Sequence, residues 1–176
     1  MIAGPDDMVV AGGRLRFRGR HFPCTLGRGG IVAARAKCEG DGATPAGAHR
    51  IVGMLWRPDR LARAEVPRWA VPIGPGDLWS DDPADPDYNL MVRAPHPFGH
   101  ERLRRADGQY DALLVTSWNW PHALAGRGSA IFVHIRRGPQ HPTAGCVGLA
   151  RADLLWIARR LRPWSRLVVR GARPQP

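Results

Sequence analysis

Proline and glycine recur so often along this chain that little of it is free to form long helices. The 176 residues include 17 prolines and 21 glycines. Proline removes a backbone donor and clashes with the preceding turn, and a glycine costs a helix interior about 1 kcal/mol relative to alanine. Their density argues against a helical bundle and for short extended segments joined by tight turns. Met8-Val9-Val10 and Arg14 to Arg18 flank Gly12-Gly13. In the second run Leu15 and Phe17 alternate with arginine, as on a strand with one buried face. A further turn, Gly27-Arg28-Gly29-Gly30, leads to Ile31–Ala34, and the loop 39–47 precedes an apolar segment, Arg50 to Trp56.

The later half is more apolar. Tyr110–Thr116 and Ser129–Ile135 read as central strands covered on both faces. Ala152–Leu161 carries apolar residues at 154, 157, 158 and 161, the stripe of an amphipathic helix, and Pro163 stops it. Arg166–Arg170 is a final strand. Residues 57–100, rich in Pro and Asp but holding Trp69, Trp79 and Tyr88, read as a long ordered excursion rather than a linker. The expectation is a mostly β single domain with one or two short helices.

Charge says less than its size suggests. The net charge is +11, and 25 of the 26 basic residues are arginine, Lys37 being the exception. The arginines run from Arg14 to Arg173 without clustering, so a solvated basic surface is expected, and no nucleic-acid motif accompanies them. No run has the roughly 18–20 apolar residues of a membrane helix, and Met1–Asp7 lacks the basic and apolar regions of a signal peptide.

Three cysteines, Cys24, Cys38 and Cys146, form no C-x-x-C pair, which argues against a zinc ribbon or a redox dithiol. Cys24 and Cys38 are expected as buried free thiols, with pairing across a hairpin as the alternative. His96 and His100 have no metal-ligand spacing with Cys146, and the loop 40–47 lacks the Gly-Lys-Ser/Thr ending of a phosphate loop. One pair does suggest chemistry. His134 ends an apolar strand and Cys146 follows after a loop containing Gly and Pro. An imidazole can take the proton of a thiol that is otherwise a poor nucleophile, and Gly145 permits close backbone approach. His141, flanked by Gln140 and Pro142, reads as a loop residue, so His134 is the preferred base.

The run His134 … Thr143-Ala144-Gly145-Cys146-Val147 resembles the signature of the L,D-transpeptidase catalytic domain, the YkuD-like family. Cys24–Ile31, Gly40–Gly47, Trp79–Pro83 with Tyr88-Asn89, and Gly126–Phe132 resemble further blocks of that family in the same order. The likeness covers about residues 10–170, and it implies a mainly β, single-domain sandwich or barrel-like fold over residues 1–176 and acyl transfer on peptidoglycan stem peptides. Cys146 attacks the carbonyl of the diamino acid at stem position three, D-alanine leaves, and a second stem or a free D-amino acid resolves the thioester. His134 serves as base and then acid. Gly145 and Cys146 N–H groups hold the oxyanion, and Thr143 shapes the loop. Neither a metal nor another cofactor is implied. Carbapenems are expected to acylate Cys146.

Two positions depart from the family pattern: Ala144 stands where histidine is frequent, and Gly148 where arginine is frequent. Arg136, with Arg137 and Arg151 as alternatives, is the candidate substitute for that arginine, and Asn119, between Trp118 and Trp120, is a second candidate substrate contact. The expected molecule is a monomer of the periplasm or cell envelope, with a cytoplasmic location left open by the absent leader. A non-catalytic envelope-binding module on the same fold and an L,D-carboxypeptidase are the rival readings. Specific nucleic-acid binding is not expected.

Overall fold

The structure, a computed structural model, describes residues 2–171, so Arg173 lies outside it. β1 (Met8–Ala11), β2 (Arg14–Phe17) and β3 (Arg20–Thr25) form an antiparallel meander. Its two turns place Gly12 and Gly13 at φ 55° and 71°, and Arg18 and Gly19 at 47° and 76°. Two successive positive φ values match the twist of the flanking strands in a two-residue hairpin. Next come β4 (Ile31–Val32), β5 (Thr44–Pro45) and the ten-residue β6 (Gly47–Trp56). β7 (Val71–Pro72), β8 (Asp77–Ser80), β9 (Met91–Arg93) and β10 (His100–Arg102) follow. β11 (Ala112–Thr116), β12 (Phe132–Ile135), β13 (Val147–Leu149), α1 (Arg151–Ala158) and β14 (Arg166–Val169) complete the chain.

β6 closes the main sheet. Residues 47–50 pair with β14, and residues 51–56 pair with β11. The strand order β11-β12-β13-β3-β2-β1-β14-β6 therefore returns to β11 and forms a barrel. Pairing is parallel at β1–β14 and β12–β13. Inside sit Met8, Val10, Leu15, Phe17, Met54, Leu114, Val133, Val147, Leu167 and Val169, with Leu154, Ile157 and Ala158 of α1 packed on the same core.

A second apolar cluster lies on the other face of β11 and β12. Leu113, Val115 and Phe132 pack there with Trp79, Leu103, Tyr110 and Cys146. The continuous apolar runs of these two strands reflect that double burial. The cover comes from residues 57–110, where β10, β8 and β9 form a small antiparallel sheet and Trp79 and Tyr88 are buried. Trp69 of this segment is 44% exposed, and Phe98 is half-buried.

Two expectations need correction. The helix ends at Ala158 rather than Leu161. Arg160 and Leu161 donate their N–H groups to Ile157 and Ala158, three residues back, so the last turn tightens. Cys38 is exposed, whereas Cys24 is buried, and both are free.

Candidate active site

Alternation along β12 decides which way His134 points. Val133 faces the barrel interior, so Phe132 and His134 face the second cluster. The parallel register sets His134 opposite Gly148 and Val133 opposite Val147, which brings Cys146 to the start of β13 beside β12. His134 and Cys146 both line a cleft of 410 Å³, as do Thr143, Ala144 and His141.

The backbone around Cys146 allows few substitutions. Gly145 has φ 144°, and a Cβ there would lie 3.0 Å from both the Ala43 carbonyl oxygen and Ile131 Cδ1. Gly27 is needed for the neighbouring crossing, since a Cβ on it would fall 2.3 Å from the Gly42 oxygen. Thr143 ties the turn together: its hydroxyl donates to the Cys146 carbonyl at 2.6 Å and accepts the Gly145 N–H at 3.2 Å. Gly145 N–H is thus committed within the turn, which removes it from the oxyanion role the family resemblance implies and leaves the Cys146 N–H as candidate donor.

The thiol and imidazole are neutral at rest. Cys146 is 7% exposed. Its S–H donates to the Ala130 carbonyl at 3.0 Å, and its sulfur accepts the Phe132 N–H at 3.3 Å. Burial, reinforced by the nearby Glu101 charge, pushes the thiol up to about 12. Burial also pushes His134 down to about 4. His134 Nδ1 lies 2.8 Å from the Ile135 carbonyl oxygen, and an Nδ1–H donating there leaves Nε2 as a lone-pair base. No hydrogen bond joins the thiol to His134 among the described residues. A preformed thiolate–imidazolium pair is therefore not the resting state.

Ala130, which holds the thiol proton, is itself held in an unusual conformation at φ 49°. Asn89 braces it. Asn89 Oδ1 accepts the Ala130 N–H at 2.9 Å and Trp79 Nε1–H at 3.0 Å, while Nδ2 donates to the carbonyls of Trp118 and Asn119 at 3.1 and 2.7 Å.

The two expected substrate contacts lie elsewhere. Arg136 donates to the Pro23 carbonyl at 3.2 Å and packs against Gly148, whose Cβ would meet Arg136 Cβ at 3.0 Å and Thr25 Oγ1 at 2.4 Å. Asn119 closes its own loop, exchanging bonds with Leu124 and donating to Gly128. Neither residue lines the cleft. Arg151 pairs with Asp111, leaving Arg137 as the one of the three arginines in the cleft wall. Residues the sequence did not single out complete that wall: Arg28, Arg105, Glu39, Asp81, Glu101 and Tyr110. Glu101 sits among arginines at 102, 104 and 105 and gave no local signal. Asn89 stood in a recognisable block, but its bracing role arises only from the fold. Among the described residues no group of three or more His, Cys, Asp or Glu is arranged to hold a metal.

A family model, the YkuD L,D-transpeptidase catalytic domain, matches residues 5–169. No curated protein and no solved structure matches the chain.

Proposed function

The chain belongs to the family of L,D-transpeptidase catalytic domains, and on that premise we propose that it is a cysteine acyltransferase acting on peptidoglycan stem peptides. The family acts on peptidoglycan peptides and is associated with the cell envelope. No helix among the described residues is long and apolar enough to cross a membrane. The proposal takes residues 1–176 as one domain and the working unit as a monomer.

The carrying observation is that Cys146 and His134 line one cleft, delivered by adjacent parallel strands. Attack begins with the neutral thiol. As sulfur bonds to the substrate carbonyl carbon, the S–H proton leaves its contact with Ala130 for His134 Nε2, and the carbonyl π pair moves to oxygen. The Cys146 N–H supports that oxyanion. Collapse breaks the C–N bond, and His134 returns the proton to the departing amine. An acceptor amine then resolves the thioester; water in its place gives the carboxypeptidase outcome. Thr143 and Gly145 hold the turn, and no step calls for a metal or another cofactor.

Intact-mass spectrometry after exposure to a carbapenem tests this reading. One adduct is expected on the native protein and none on Cys146→Ala. A protein that stays unmodified sinks it. One observation favours a second reading, a binding module without chemistry: the thiol is buried and pushed up to about 12, far from an activated thiolate. Acylation of Cys146 would rule that reading out.

A further inference from the structure

Three carboxylates of the cleft have no ion-pair partner among the described residues, unlike the buried aspartates. The protein carries a net charge of +11. All four fully buried aspartates meet a basic group: Asp7 with Arg166, Asp77 with Arg93, Asp85 with His96, and Asp111 with Arg60. Glu39, Asp81 and Glu101, which line the same cleft as Cys146, have no such ion pair among the described residues. Glu39 accepts hydroxyls from Tyr88 and Ser129 at 2.5 and 2.8 Å. Glu101 accepts the Tyr110 hydroxyl on Oε2 at 2.6 Å, while Oε1 has no hydrogen-bond partner among the described residues. Tyr110 in turn stands edge-on to His134, ring centroids 5.3 Å apart. The Glu101 carboxylate thus lies in the cleft that Cys146 and His134 line, with Tyr110 between it and the imidazole and one oxygen left open.

Resting on the transpeptidase reading, we propose that Glu101 is a catalytic residue of the second half-reaction: its free oxygen binds the ammonium group of the acceptor and takes its proton. An amine acceptor is protonated in neutral water and cannot attack until it loses that proton. Glu101 accepts it, becoming a neutral acid. The freed amine attacks the thioester carbon and its second proton passes to His134. The C–S bond breaks, and His134 protonates the departing sulfur. Glu101 then releases its proton to solvent. Asp81 and Glu39 add negative charge around the incoming cation. Burial, together with Asp81 and Glu39, raises the Glu101 carboxyl toward the range where a proton acceptor works, while Tyr110 and Arg105 oppose the rise.

Glu101→Gln keeps the shape and the Tyr110 hydrogen bond but removes the base. The enzyme is acylated with a tetrapeptide stem and resolved with either D-methionine, an ammonium at neutral pH, or hydroxylamine, which is uncharged there. The variant is expected to lose about 10²-fold with D-methionine and to match the parent with hydroxylamine. Carbapenem acylation should be no slower, because burial still raises the Cys146 thiol but the Glu101 charge that adds to it is gone. Asp81→Asn, at a half-exposed position, should raise the KM for D-methionine alone. Equal loss with both acceptors, or no loss with either, overturns the assignment to Glu101 while leaving the transpeptidase reading standing. A native protein that neither acylates nor forms product overturns both.

Discussion

Asn89 Oδ1 accepts the backbone N–H of Ala130 at 2.9 Å, and through that bond a residue outside the barrel braces the carbonyl that holds the Cys146 thiol. Ala130 is in the left-handed region at φ 49°, which costs a residue with a Cβ on the order of 1 kcal/mol. Its carbonyl oxygen receives the Cys146 thiol proton at 3.0 Å. The brace therefore maintains both the strained turn and the neutral resting state of the thiol.

Asn89→Ala should lower unfolding free energy by about 2–4 kcal/mol, since it strands buried donors on Trp79 and Ala130. Urea denaturation measures this. The rate of carbapenem acylation should fall as well, because the Ala130 turn no longer fixes Cys146 at one place in the cleft. A variant as stable as the parent would show that Asn89 braces nothing.

Packing around Gly148 leaves no room for a side chain. A Cβ would sit 2.4 Å from Thr25 Oγ1 and 3.0 Å from Arg136 Cβ, inside van der Waals contact. Gly148→Ala is expected to cost about 1–3 kcal/mol, and Gly148→Arg more. Thermal unfolding of the two variants checks the order.

Buried His134 ties stability to acidity. The unfolded chain takes up this proton near pH 6.5, the folded protein only near 4. Between those values the unfolded state holds more protons, so stability is complete above 6.5 and falls as pH drops. The loss is on the order of 2–3 kcal/mol. His49, also lowered by burial, acts in the same direction. Denaturation midpoints from pH 7 to 4 should fall less steeply for His134→Gln than for the native chain.

The three thiols should separate by reactivity toward a small alkylating agent near neutral pH. Cys38 is exposed, whereas burial pushes Cys24 up to about 11 and Cys146 up to about 12. The thiolate is the reactive form, so Cys38 is labelled first and the others slowly. Peptide mapping at short times reads the order. Fast labelling of Cys146 would contradict its neutral resting state.

Local patterns carried most of the fold. The alternation in Arg14–Phe17, the Gly12-Gly13 pair before it and the stripe in α1 are short-range signals, and each marked its element. The apolar runs at 110–116 and 129–135 announced strands covered on both sides, and the covering cluster is there. What failed was long-range. Arg136 and Asn119 looked available because their partners, Pro23 and Gly128, could not be read from their own neighbourhoods.

The sequence alone therefore determined a mainly β chain with a helix before its last strand and its family, and it singled out His134 and Cys146 as the candidate pair. Tertiary structure alone decided which N–H remains a candidate for the oxyanion, which of the three candidate arginines faces the cleft, and that three carboxylates gather there without ion-pair partners among the described residues. It also decided that the thiol rests protonated. Turns and periodicity act over a few residues, whereas desolvation and charge coupling sum over strands and loops that meet only when β6 closes the barrel.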